Sequence, residues 1–296
     1  MKTTNHSFFH LTTLECSALR TIAIIAIVLH NYTHKLPNAA IENEFSYHLE
    51  HELYFSNTIF SSNFFINLFS YWGHLGVPIF VFLSGYGLAL KYGNKSTIKS
   101  KDFVLSHYRK LFYPILLGTI LYIFIMFLFH EELSFSIPRF MLQCSMLLNL
   151  AYPYELYFTP GPYWYFGMTM QIYIIYRYVI HHRSTTFLIS LTIVSLILMG
   201  LLYNYNSIVV WTKCNVIGWM APLCIGIIVS NNLYKYDIQL NRKYLLALFV
   251  FSLLILIFCG KKLLPMASNA NSSDFNCNIN SKNDAIDNLG KDPNDW

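Results

Sequence analysis

Charge is what this chain has least of. Asp, Glu, Lys and Arg together fill 12% of its 296 positions, about half the share expected of a soluble globular domain. That scarcity excludes an ordinary soluble fold. No segment alternates apolar and polar residues over some ten positions, so a membrane β-barrel is excluded as well. The six cysteines (Cys16, Cys144, Cys214, Cys224, Cys259, Cys277) make no Cys-x-x-Cys and no Cys/His ligand spacing. Five of them lie in or beside apolar segments, as buried thiols do. The basic residues form no stripe, so a net charge of +5 points to no nucleic-acid partner. A signal-peptide cleavage pattern is missing too, because Glu15 and Arg20 interrupt the N-terminal region.

What is present is apolar length. Hydrophobic residues make up 55% of the chain and aromatics 17%. Runs close to the roughly 20 residues that cross a bilayer recur at about 17–34, 70–90, 111–130, 162–181, 186–203, 208–231 and 244–260. Backbone polar groups in lipid must pair within their own segment, so each run is expected to be a helix. The fold class is an all-α polytopic transmembrane bundle of about seven or eight spans. Residues 136–149 suit a short interfacial or re-entrant helix. Residues 1–265 form the expected membrane domain. The segment 266–296 is expected to be a disordered polar tail, since 267–296 carries eight Asn and five Asp and almost no aliphatic surface to bury.

The distribution of Lys and Arg sets an expected orientation. The 91–110 loop holds Lys91, Lys95, Lys99, Lys101, Arg109 and Lys110 against Asp102 alone, and reads as cytoplasmic. The 35–67 loop carries Glu42, Glu44, Glu50 and Glu52 and reads as external. Arg177, Arg183, Arg242 and Lys243 fall on the cytoplasmic side of the same scheme, which puts the N-terminus inside. His48 and His51 sit among the glutamates of the external loop. A solvated loop is the expected reading there, for no third metal ligand accompanies them, and no metal site is expected anywhere.

Two ionisable residues interrupt the first apolar run: Arg20 and His30. Ionisable groups at membrane depth are costly and generally face a protein interior or a wet cavity. Ten helical residues separate the pair by about 15 Å along the axis and by about 80° around it. Taken alone, Arg20 suits an inner-leaflet anchor and His30 a hydrogen-bonded core histidine. The second run places Gly73, His74, Gly76, Ser84, Gly85 and Tyr86 in one segment, and small residues let helix backbones approach closely. Gln171, a polar residue inside the fourth run, is expected to act as interhelical glue.

Four stretches together resemble the acyltransferase 3 family of bacterial integral-membrane O-acyltransferases. They are LeuArg20ThrIleAla with His30, GlyHisLeuGlyValProIlePhe with Ser84-Gly85-Tyr86, HisTyrArg109Lys110LeuPheTyrPro114, and GlyProTyrTrp164TyrPhe with Gln171. They cover residues 15–180. The family typically spaces its Arg and His one residue further apart and has about ten spans. The resemblance implies a multi-pass protein of the bacterial inner (cytoplasmic) membrane that moves an acyl group, usually acetyl, onto a hydroxyl of a cell-envelope glycan. It implies no permanently bound cofactor; acetyl-CoA or another acyl-CoA is the co-substrate. The implied partners are that donor, a saccharide acceptor and the lipid bilayer.

Carried over by position, the resemblance makes Arg20 and His30 the catalytic pair. Ser84, Gly85 and Tyr86 would line their cavity, and Arg109, with Lys110, would belong to the acyl-donor entrance. The aromatic run 163–166 suits an interfacial belt; as a sugar-stacking platform it offers Trp164 and Tyr165 to the acceptor, with His74 as a third acceptor-side residue. His30 can act as general base toward the acceptor hydroxyl or carry the acyl group itself as a covalent relay. Two rival readings stand beside this one. One is a non-enzymatic, transporter-like membrane protein, which would more often show paired half-helices or repeated segments. The other is a shortened, inactive relative of the acyltransferases.

Overall fold

A computed structural model describes residues 11–33, 36, 61–93, 99–130, 137–151, 163–202 and 205–236. The contacts divide the chain at Ile238, and every described residue lies on its N-terminal side. The external loop with His48 and His51, the seventh apolar run and the polar tail fall outside the described residues.

Among the described residues the ordered elements are all helical. α1 spans Thr13–Thr33. α2 (Phe64–Trp72), a 3₁₀ turn at Gly73–Leu75 and α3 (Gly76–Tyr92) follow one another without a gap. α4 is Ser100–Leu128 and α5 is the short Ile137–Cys144. α6 (Trp164–Ile175) runs into a π turn at Tyr176–Ile180. α7 spans Thr185–Leu202, α8 Asn206–Cys214 and α9 Met220–Tyr236. Four of the helical stretches are long and apolar enough to cross a membrane, or five when α8 and the helix after it count as one bent span.

α1 starts where the sequence offers a reciprocal cap. The Thr12 backbone N–H donates to Glu15 Oε2 at 2.7 Å, and the Glu15 N–H donates to Thr12 Oγ1 at 3.2 Å. This capping box satisfies donors that the first turn cannot pair internally. Beyond it, Ile22, Ile25 and Val28 are exposed while Ala23 and His30 are buried. α4 and α7 likewise present rows of exposed Leu, Ile and Phe. An apolar outer face of this extent is stable only against lipid.

Where helices depart from the apolar runs, the causes are local. α4 begins at Ser100, well before the run that starts near residue 111, and it continues through Pro114. Its basic first turns are helical because one side of them packs: Phe103 and His107 are buried while Lys101, Arg109 and Lys110 are exposed. The sixth run, expected as one span, bends by 73° at Asn215. Side chains satisfy the backbone groups that the break releases, as a membrane interior requires. Gln171 Oε1 accepts the Val216 N–H at 2.9 Å, and Gln171 Nε2 donates to Asn215 Oδ1 at 2.7 Å. Asn149 donates to the same Asn215 oxygen and to the Cys214 carbonyl, both at 3.0 Å. Gln171 is therefore the interhelical link its position suggested.

The core sits between α3, α6, α7 and α9. Val81, Met168, Ile172, Leu188, Leu223 and Cys224 are among its buried members. Among the described helices, α3 and α9 make the most extensive pairing. Gly85 permits it: a Cβ there would meet the Leu223 carbonyl, and Gly226 of α9 lies just as tightly against the Phe82 carbonyl.

Candidate functional site

The site is built on one face of α1. Arg20, Ala23, Ile27 and His30 follow one another at steps of three, four and three residues. On an ideal helix all four fall within a sector of about 80°, narrower than the apolar stripe of an ordinary packed helix. The ten-residue spacing therefore leaves Arg20 and His30 on the same face. No π insertion is needed to align them, and α1 has none.

That face lies along the α2–turn–α3 segment. Its His30 half meets the 3₁₀ turn, where a Cβ on Gly73 would stand 2.6 Å from both the Ala26 carbonyl oxygen and His30 Cβ. Only glycine fits there without a shift. We expect Gly73→Ala to push α1 away from the turn at a cost of about 1–3 kcal/mol. The melting temperature of the detergent-purified chain checks this, and an unchanged value would contradict the contact.

His30 is 4% exposed, and its Nδ1 lies 3.3 Å from the Phe69 carbonyl oxygen. A carbonyl can only accept, so Nδ1 carries the proton in this bond and the lone pair of the neutral ring resides on Nε2. The His74 ring stands edge-on to His30 with centroids 5.6 Å apart. The last turn of α2 thus supplies the carbonyl that orients His30, and the 3₁₀ turn supplies the ring beside it.

Arg20 engages the same segment about ten residues further on. Its NH2 group donates to the Leu83 carbonyl at 3.2 Å, and a Cβ on Gly87 would lie 3.2 Å from that nitrogen. The guanidinium is also within electrostatic reach of the phenols of Tyr165 and Tyr173 on α6. It therefore faces the bundle interior, with α3 on one side and α6 on the other. A chain snorkelling to the headgroups would show none of these partners.

The remaining candidates are dispersed over the bundle. Tyr165 sits at the Arg20 end of the site, packed edge-on against Phe80 at 5.9 Å. Ser84 bonds back to the Phe80 carbonyl within its own helix at 2.8 Å. Gly85 faces α9, and buried Tyr86 accepts the Leu11 N–H at 3.1 Å, closing the segment before α1. Trp164 is buried, stacked on Trp219 with centroids 6.4 Å apart, as a core residue is. Arg109 and Lys110 lie exposed on α4.

One buried histidine, quoted above only within the stretch that ends at Pro114, was given no role from the sequence. His107 is 5% exposed, bonds the Phe103 carbonyl at 2.7 Å through Nδ1 and packs against the Tyr173 ring at 4.1 Å. It lies ahead of the apolar run that marked the third span, so hydropathy left it in a loop. Helical spacing from Phe103 to His107 was the available signal.

Comparison with known proteins gives one match. A family model described as an acyltransferase domain aligns with residues 15–271. No curated protein and no solved structure matches the chain.

Proposed function

The chain belongs to the acyltransferase 3 family of membrane acyltransferases, and from that premise we propose that it moves an acyl group, acetyl by preference, from acyl-CoA to a hydroxyl of a cell-envelope saccharide. The observation that carries the reading is the pairing of Arg20 and His30 on one face of α1 against a single broken helix. The protein acts, on this reading, in the bacterial cytoplasmic membrane with the N-terminus inside.

Chemistry follows from the His30 geometry. With Nδ1–H held by the Phe69 carbonyl, Nε2 is the atom that takes a proton. It removes the proton of the acceptor hydroxyl as that oxygen attacks the thioester carbonyl. The new C–O bond forms, the C–S bond breaks, and the coenzyme A thiolate leaves with the proton that the imidazolium returns. General base catalysis of this kind contributes about 10²- to 10⁴-fold. Arg20, a permanent cation inside the bundle, complements the negative charge that develops on the thioester oxygen or rests on the donor phosphates. His74, beside His30, and Tyr165, within electrostatic reach of Arg20, have the chemistry to meet the acceptor sugar.

The test is turnover. The purified chain, supplied with acetyl-CoA and an envelope glycan fraction, should release free coenzyme A thiol and acetylate the glycan in equal amounts. A chain that binds neither substrate and releases no thiol would refute the proposal.

A further inference from the structure

Arg20 is held by less than its charge requires. A guanidinium carries five N–H donors, and among the described residues the Leu83 carbonyl is the one acceptor that Arg20 meets. No carboxylate among those residues pairs with it. A single bond leaves the guanidinium plane free to turn. The groups that flank it therefore decide where the remaining donors point.

α6 provides such a flank. Its two ends are tied to α3: Tyr165 packs on Phe80 at 5.9 Å, and the Tyr176 hydroxyl donates to the Leu88 carbonyl at 3.0 Å. Tyr173 lies between those ties, level with the Leu83–Gly87 stretch of α3 that Arg20 meets. On an ideal helix Tyr165, Tyr173 and Tyr176 share a sector of about 80°, so Tyr173 belongs to the same face. Among the described residues Tyr173 makes no hydrogen bond, and packing sets its ring.

His107 does that packing. Its Nδ1–H donates to the Phe103 carbonyl at 2.7 Å, and Ser106 Oγ donates to the same oxygen at 2.9 Å. The bond locks the imidazole against its own helix, α4. From there the rings of Phe103 and His107 close on Tyr173, with centroids 6.4 Å and 4.1 Å away. Tyr92 of α3 stands against His107 at 6.1 Å. The imidazole is thus wedged between α3 and α6 and is buried. A hydrocarbon ring of that size would fill the space without the lock.

We propose that His107 is a positioning residue for acyl transfer: it fixes the Tyr173 ring, and Tyr173 in turn sets the plane of the Arg20 guanidinium. The role rests on the acyl-transfer reading above. His107 takes no part in the proton transfer itself. Gly73 lies beside His30 and Tyr92 beside His107, and the helical path between those two residues is roughly 28 Å at 1.5 Å per residue.

The experiment is a double-mutant cycle on kcat/KM, read as thiol release from acetyl-CoA by the full chain in phosphatidylcholine nanodiscs. His107→Ala should lower kcat/KM about tenfold, the effect of a misplaced catalytic group. In an Arg20→Lys background the same change should cost less than about twofold, because the group it positions is already gone. Tyr173→Phe keeps the ring but removes the hydroxyl, and should lose as much as His107→Ala. His107→Phe keeps a ring against Tyr173 and should return to within about threefold of wild type. A loss of equal factor in both backgrounds would make His107 merely structural and overturn the proposal, as would unchanged kcat/KM in Tyr173→Phe. Phenylglyoxal gives a readout that needs no turnover. It modifies guanidinium groups, and peptide mass spectrometry compares Arg20 with the exposed Arg109 in one digest. The Arg20-to-Arg109 ratio should rise severalfold in His107→Ala and stay at the wild-type value in His107→Phe; an unchanged ratio in His107→Ala contradicts the role. If wild type releases no thiol, the acyl-transfer reading is refuted, and this ratio alone decides whether His107 positions Arg20.

Discussion

His30→Ala should abolish acyl transfer, by about 10²- to 10⁴-fold in kcat, while the chain still inserts and purifies as wild type. The substitution removes the proton acceptor and the orienting bond to Phe69 together. The fold has little reason to fail. The Gly73 contact is made to the Ala26 carbonyl and to His30 Cβ, and alanine keeps both atoms. A lost neutral hydrogen bond is worth only about 1 kcal/mol, so the melting temperature should move by a few degrees at most. His30→Gln, which restores a donor for the Phe69 carbonyl but supplies no base, should be as inactive as alanine. Turnover in either variant within tenfold of wild type would remove His30 from the mechanism.

Arg20→Lys should be far from neutral. The guanidinium reaches the Leu83 carbonyl past Gly87 and faces the phenols of Tyr165 and Tyr173. A planar fork satisfies several partners at fixed angles, and an ammonium group serves them as a point charge only. We expect a loss of about tenfold or more in kcat/KM, a barrier of about 1.4 kcal/mol per factor of ten. A loss confined to KM would place Arg20 on the donor's phosphates. A loss in kcat would place it on the reacting thioester. A lysine variant with unchanged kinetics would make Arg20 a plain membrane anchor.

Much of this arrangement was legible in the sequence, and the limits have physical causes. The all-helical membrane class follows from composition alone, since lipid tolerates few other backbones. The Arg20–His30 pair was visible because charge in an apolar run is expensive. Its 80° separation looked like a defect when the two residues were considered alone. With Ala23 and Ile27 between them it is simply the width of one packed face. The 3₁₀ break at Gly73–Leu75 was hidden within a continuous apolar run, and only the facing α1 backbone explains why glycine stands there. Gly85 illustrates the reverse error. A small residue in a functional-looking string packs against α9, because the chemistry of Ser84-Gly85-Tyr86 says nothing about which helix lies opposite.

The central claim is that His30 presents a nucleophilic imidazole nitrogen to a site that the acyl donor enters. Diethyl pyrocarbonate acylates such a nitrogen, and peptide mass spectrometry assigns the modified histidine. Treating the wild-type chain with the reagent, with and without coenzyme A, tests the claim most directly. His30 should be carbethoxylated in the free protein in step with loss of activity, and coenzyme A should protect both. An unmodified His30 beside full inactivation, or modification that coenzyme A leaves untouched, would contradict the account.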